Sequence, residues 1–210
     1  ELQRLSRSSQ LALVAATEAI QDARLDLATY DTQNIAVIIG SSIGGFAASE
    51  QFFQQSFTGE TISPLTLPTV MNSAPASNVS IRFGLRGALI NVDAACASSA
   101  HAVGYAFNLI RFGVIQMALA GGADSPFSPA VIGAWSSLRA LSEKNDTPTE
   151  ACRPFSRDRD GIVLAEGSGI LVLETEKSAV ERKAHIYAEV VGYGATADSY
   201  HLTQPALQGM

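Results

Sequence analysis

Cysteine is nearly absent from this chain: the 210 residues include two, Cys96 and Cys152, far apart in sequence. That excludes a disulfide-dense secreted scaffold and reads as free thiols in a reducing cytoplasm. Positive charge is scarce as well, with 14 Lys and Arg against 20 Asp and Glu and a formal net charge of −6. A nucleic-acid binder carries a basic patch, so this balance argues against one. No run has the length and purity of a membrane span, no secretory leader is visible at the first residues, and no internal repeat, low-complexity tract or disorder signature interrupts the chain. Neither nucleic acid nor membrane is expected as a partner. What the chain has in quantity is apolar residues. At 47% hydrophobic and this length, it can fill a substantial core as one domain or as one large half of a domain.

Leu11, Leu13, Ala16, Ile20 and Ala23 recur on a helical period between residues 8 and 25, and Ser8 or Ser9 can cap the start. The run 35–40 reads as a buried strand closed by a glycine-containing turn. Helices are expected at 46–56 and 74–83, with Pro64 and Pro68 breaking the chain between them. A strand at 88–93 leads into a helix at 97–112. The apolar run 115–122, ending in Gly121 and Gly122, has the form of a central parallel strand. After a polar loop at 142–160, the segments 169–174 and 186–192 read as the strands of a hairpin. This alternation points to an α/β layered fold.

Cys96 stands where a strand-like segment ends and a helix of small residues begins, in the run Asn91-Val92-Asp93-Ala94-Ala95-Cys96-Ala97-Ser98-Ser99. A helix N-terminus carries unpaired N–H groups and roughly half a positive charge, which favours a thiolate and offers donors to an oxyanion. Cys96 is therefore either a nucleophile or a buried structural thiol. The helix that follows has small or apolar residues at most positions, so burial on nearly all sides and a rigid, dry site are expected. Cys152, in a polar stretch beside Arg153 and Pro154, has no such context.

Other residues invite chemistry and are read more plainly. Gly40 to Gly45 superficially suggests a phosphate cradle but has no P-loop lysine and lacks the full dinucleotide spacing, so a turn is expected. The cluster Arg157-Asp158-Arg159-Asp160 reads as an ion-paired structural loop. His101 follows Cys96 by five positions, a rotation of roughly 140° around a helix, and faces elsewhere as a packed polar residue. His185, beside Lys183, reads as solvated. His201 shares a loop with Asp198, Tyr200 and Thr203.

The stretch 87–103 resembles the active-site signature of the β-ketoacyl-acyl carrier protein synthases, including the cysteine followed by Ala97, Ser98 and Ser99. Further resembling segments are Ile39-Gly40-Ser41-Ser42-Ile43-Gly44-Gly45, Phe83-Gly84-Leu85-Arg86-Gly87, Ala120-Gly121-Gly122-Ala123-Asp124, Arg139-Ala140-Leu141-Ser142, the run from Arg153 to Gly161, and Ser199-Tyr200-His201-Leu202-Thr203. Together they cover nearly the whole chain in one order. The resemblance implies a thiolase-like layered fold, αβαβα in the full-length parent, with this chain covering most of the first half. On that expectation residues 1–210 are an N-terminal synthase domain without its first strand and without the second half, where the family keeps two catalytic histidines and a lysine.

The implied chemistry is the decarboxylative condensation of a Cys96-bound acyl group with malonyl-acyl carrier protein, without metal or cofactor. Acyl carrier protein is the implied partner, the enzyme a cytoplasmic homodimer paired through the strand at 88–93. By the same resemblance Ile43, with Leu65 and Thr66, lines the acyl pocket. Thr203, in the loop with His201, borders the pantetheine entrance, where a gating or contact role and a merely structural loop both stand. Arg4, Arg7 and Arg139 lie near positions that meet the acidic carrier, or are simple solvated surface. Asp93-Ala94-Ala95-Cys96 favours a discrete elongating synthase of fatty-acid biosynthesis, of subclass I or II. A polyketide ketosynthase and a non-condensing carrier-binding subunit stay open as alternatives, although the presence of Cys96 argues against the second.

Overall fold

The computed structural model describes residues 5–208. Four strands form one open sheet in the order β2-β1-β3-β4. The strands are β1 Ile35–Gly40, β2 Leu89–Val92, β3 Met117–Asp124 and β4 Gly167–Glu174. β1 lies parallel to β2 and β3, and β4 runs antiparallel to β3 at the edge. The helices are α1 Arg7–Asp22, α2 Phe46–Thr58, α3 Thr66–Val70, α4 Ala74–Phe83, α5 Ser98–Arg111, α6 Pro129–Ser137 and α7 Glu176–Glu181. The fold is mixed α/β, an open sheet with α1 and α4 on one face and α5 on the other.

Side-chain size along the two central strands decides what packs where. Ile35, Val37 and Ile39 of β1, with Met117 and Leu119 of β3, meet Ala12, Ala16 and Ile20 of α1 and Val79 of α4. On the opposite face Ala36, Ile38, Ala118 and Ala120 meet Ala102 and Ala106 of α5. Strands covered on both faces have no polar side to present, which is why β1 reads as unbroken apolar sequence. The alanines facing α5 bring that helix close to the sheet. The closest approach is at the strand ends: a Cβ on Gly40 would lie 2.3 Å from the Ser98 carbonyl carbon, and one on Gly122 would lie 2.5 Å from Ser99 Cβ. The start of α5 therefore rests on the carboxyl ends of β1 and β3.

Several expectations change. The cap of α1 is Ser6, whose hydroxyl accepts from Ser9 N; Ser8 is buried and donates to the Gly44 carbonyl at 2.7 Å. Pro68 does not break the chain but sits third in α3, within the first turn, where its missing N–H has no intrahelical partner to lose. α6 was not anticipated; Ser128 caps it and Pro129 opens it. α5 is buried not on nearly all sides but along its sheet face, at Ser98, Ala102 and Ala106, and at Gly104 beneath the Tyr193 ring, while Tyr105 stands 45% exposed. The hairpin partner at 186–192 is not a strand. That segment is anchored by side chains instead, with Tyr187 donating to Asp22 at 3.0 Å and Tyr193 lying over Gly104. Its alternating pattern reports a side-chain period and says nothing about which strand edge supplies hydrogen bonds. Among the described residues no helix is long and apolar enough to cross a membrane.

Candidate active site

Between β2 and α5 the chain turns sharply, and Cys96 sits on the turn. Ala95 has φ 49°, in the left-handed region, a conformation that costs an L-residue with a Cβ roughly 1–2 kcal/mol. The turn is gripped from within by Ser98, the first residue of α5 and only 3% exposed. Its hydroxyl accepts from Ala94 N at 2.9 Å and donates to the Ala95 carbonyl at 2.6 Å. Backbone bonds from Ala97 N to Ala94 O and from Ser98 N to Ala95 O, both 3.1 Å, close the same loop. Ala97 is the N-cap of α5, so Cys96 immediately precedes it. The Cys96 N–H has no acceptor among the described residues. A thiol at the positive end of a fourteen-residue helix, beside its own unpaired amide, can attack an acyl carbon and stabilise the resulting oxyanion.

The thiol opens on a cavity of about 300 Å3 whose walls are Gly40, Ser99, Gly122, Asp124 and the start of β4 at Gly167 to Gly169. Cys96 is exposed, so the expected dry site is not formed by this chain. The reason is that the first turn of α5 is covered on its sheet side only, with Ser99 and Ala100 exposed beside Cys96. A second groove of about 500 Å3 lies along α5, between Val103, Ile170, Leu171, Val190 and Tyr193. Cys152 is also exposed and free, away from both cavities.

Asp124, at the end of β3, organises the neighbouring wall. Its carboxylate accepts from Ser41 Oγ at 3.0 Å, Ser42 N at 3.2 Å, Ser42 Oγ at 3.1 Å and Ile43 N at 3.1 Å. The turn after β1 is therefore a carboxylate-bound turn, and the amides that a phosphate would need are already taken. Neither Asp124 nor the Ser98 clamp was singled out from sequence. The one signal for Asp124 is a lone carboxylate closing a buried glycine-containing strand.

Of the other residues singled out, Ile43 is half-buried and lines neither cavity. Leu65 caps α3 and is 50% exposed, and Thr66 is the first residue of that helix, its N–H donating to Ser63 O at 3.1 Å. Thr203 donates through its N–H to His201 Nδ1 at 3.1 Å and lines neither cavity. Arg7 is paired with Glu166 at 2.6 Å. Arg139 is exposed at the end of α6, with φ 53°. Arg4 lies outside the described residues. His101 is hydrogen-bonded to the Tyr193 hydroxyl, as a packed polar residue would be, and His185 packs edge-on to Tyr187. In the loop at 157–160 the ion pair runs from Asp158 to Arg153, at 2.5 Å, and neither Arg157 nor Arg159 takes part. Among the described residues no three His, Cys, Asp or Glu converge as a metal site.

Residues 1–179 match the family model of the β-ketoacyl synthase N-terminal domain. The chain belongs to the β-ketoacyl synthase family. It is 41% identical over its whole length to 3-oxoacyl-[acyl-carrier-protein] synthase 2 of Staphylococcus aureus, of which it covers 52%. It thus spans about half the length of the curated β-ketoacyl synthases it matches. Among solved structures it superposes with TM-score 0.88 and 34% identity on a β-ketoacyl synthase from Burkholderia phymatum, over 97% of this chain and 50% of that one. A type II polyketide ketosynthase, in complex with its acyl carrier protein and bound to a hexaketide, gives TM-score 0.89 and 34% identity over 98% and 52%.

Proposed function

We propose that this chain is the first half of a 3-oxoacyl-[acyl carrier protein] synthase of fatty-acid biosynthesis, with residues 1–210 as its N-terminal domain. The observation that carries this is Cys96 on its left-handed turn at the head of α5, in a chain 41% identical throughout to a named synthase. Cys96 Sγ attacks the carbonyl of an acyl-pantetheine thioester; the C–S bond to pantetheine breaks, and the departing thiolate takes a proton. The Cys96 N–H is one oxyanion donor, and a second comes from outside this chain. Malonyl-carrier protein then loses carbon dioxide, and the carbanion attacks the Cys96 thioester to give the 3-oxoacyl product and free thiolate. Histidines beyond this chain stabilise that carbanion. Cofactor and metal have no step in this scheme.

Acyl carrier protein is the proposed partner, meeting a rim that includes Arg4, Arg7 and Arg139. The enzyme is a cytoplasmic homodimer joined through β2, a half-exposed edge strand. Ile43, Leu65 and Thr66 are assigned to the acyl pocket and Thr203 to the pantetheine entrance. A polyketide ketosynthase is the second reading, favoured by the hexaketide-bound neighbour. The test incubates the complete synthase with acyl- and malonyl-carrier proteins. One round of condensation, giving a 3-oxoacyl product and carbon dioxide and abolished by Cys96→Ala, is expected. Successive unreduced condensations by the same protein would establish the polyketide reading, and no product in either case would remove both.

A further inference from the structure

We infer that Asn72 is a positioning residue for the nucleophile: it ties the Ser42 loop to Asp93 and so helps hold Ala95 in the left-handed conformation on which Cys96 sits. The inference rests on the proposed acyl transfer to Cys96. Asn72 lies in the turn before α4, half-buried, and lines neither cavity. Its side-chain amide donates to the Ser42 carbonyl at 3.0 Å and to Asp93 Oδ2 at 3.2 Å. With the Asn91 side-chain amide turned so that its nitrogen faces the two carbonyls beside it, it donates to the Asn72 carbonyl at 2.9 Å and to the Ile39 carbonyl at 3.1 Å. Asn72 is thereby fixed to the ends of β1 and β2 and to the loop that Asp124 binds.

Asp93 carries the constraint onward. Its other oxygen accepts the Ala95 N–H, at a long 3.4 Å. Asp93 is exposed, and among the described residues Asn72 is the one other side chain that holds it. Without that amide the Asp93 side chain is free to swing into water. Ala95 would then be gripped only from its carbonyl side, by Ser98. An exposed alanine with φ above zero stays there only while its surroundings impose it. When it relaxes, the Cys96 amide turns and the oxyanion loses a donor, while the thiol stays accessible.

Three consequences separate this role from packing. Asn72→Ala and the isosteric Asn72→Asp should both slow acylation of Cys96 by an acyl-pantetheine thioester about tenfold, about 1.4 kcal/mol. Aspartate fills the same space but donates neither bond and sets a second negative charge beside Asp93. Alkylation of Cys96 by iodoacetamide, which needs no oxyanion donor, should change by less than about twofold when referenced to the exposed Cys152. Ala95→Gly, which makes the left-handed conformation intrinsic to the residue, should shrink the Asn72→Ala effect to less than about threefold.

The experiment measures both reactions by mass spectrometry on the complete synthase. Asn72→Asp acylated as fast as the wild type would overturn the inference, leaving the function untouched. So would equal losses of acylation and alkylation, or an Asn72→Ala defect undiminished in the Ala95→Gly background. A wild-type protein that is alkylated but never acylated would instead remove the functional reading, and this inference with it.

Discussion

Glu166 joins three places distant in sequence. It precedes β4, accepts from Arg7 at the start of α1 through Nε at 2.9 Å and Nη2 at 2.6 Å, and accepts from Ser125 Oγ, just after β3, at 2.8 Å. The Arg7 hydrogen bond first, and the Ser125 one second, hold its carboxyl below the usual carboxylate range. A carboxyl lowered in the folded state stabilises the fold fully above its unfolded value, and that contribution is lost as pH falls through the lowered one. Glu166→Gln should therefore melt below the wild type at pH 7, with the difference closing as the pH falls below the usual carboxylate range and through the lowered value. A difference constant over that range would show that Glu166 contributes by shape and not by charge. Arg7 was legible in the sequence as one of few basic residues, but its partner, 159 positions away, was not. A local pattern carries no information about which distant side chain closes a contact. Ala95 teaches the same at shorter range: nothing in an alanine's identity announces a positive φ, because Ser98 and Asp93 impose it.

At the scale of elements, Cys96 is placed by how closely α5 lies on β1 and β3. Gly40→Ala should test this directly, since its Cβ would meet the backbone of Ser98 and Ser99 within 2.3 to 2.5 Å. Backbone cannot rotate away as a side chain can, so α5 must lift. The expected cost is about 1–3 kcal/mol of stability, read as a lower melting temperature, together with slower acylation of Cys96. A melting temperature and acylation rate equal to the wild type would mean that α5 does not need this contact. Elements carrying their own period were readable: the strand expected at 35–40 and the helix expected at 74–83 are β1 and α4 with the same bounds. Elements defined by a partner were not. The strand at 88–93 shortens to Leu89–Val92 because only those residues find ladder partners on β1, and 186–192 finds none. α6, apolar along most of its length, lacked the polar face that marks a helix, and only Ser128 and Pro129 hinted at its start.

For the molecule as a whole, the fold and the site are complete to different degrees. The sheet and its two helical faces close a core within this chain, yet large apolar residues on α2 and α3 stay open, with Phe57 86% and Leu67 68% exposed. Such residues are free to meet further protein, in keeping with a chain that spans about half of its relatives. The chemistry divides in the same way. Acyl transfer needs a thiolate and an oxyanion donor, the parts proposed above for Cys96 and its N–H. Decarboxylation needs polar groups aimed at a developing enolate, and no histidine of this chain lines the Cys96 cavity. His101 is held by Tyr193, His185 lies against Tyr187, and His201 accepts from Thr203. Losing one such donor costs roughly two to three orders of magnitude in rate. Residues 1–210 alone should therefore accept an acyl group on Cys96 but fail to condense it with malonyl-carrier protein. The measurement is 3-oxoacyl product and carbon dioxide released by the purified 210-residue chain beside the complete synthase. Turnover within about tenfold of the complete enzyme would mean that a histidine of this chain moves into the Cys96 cavity during the reaction, and that the assignment of decarboxylation to the other half is wrong.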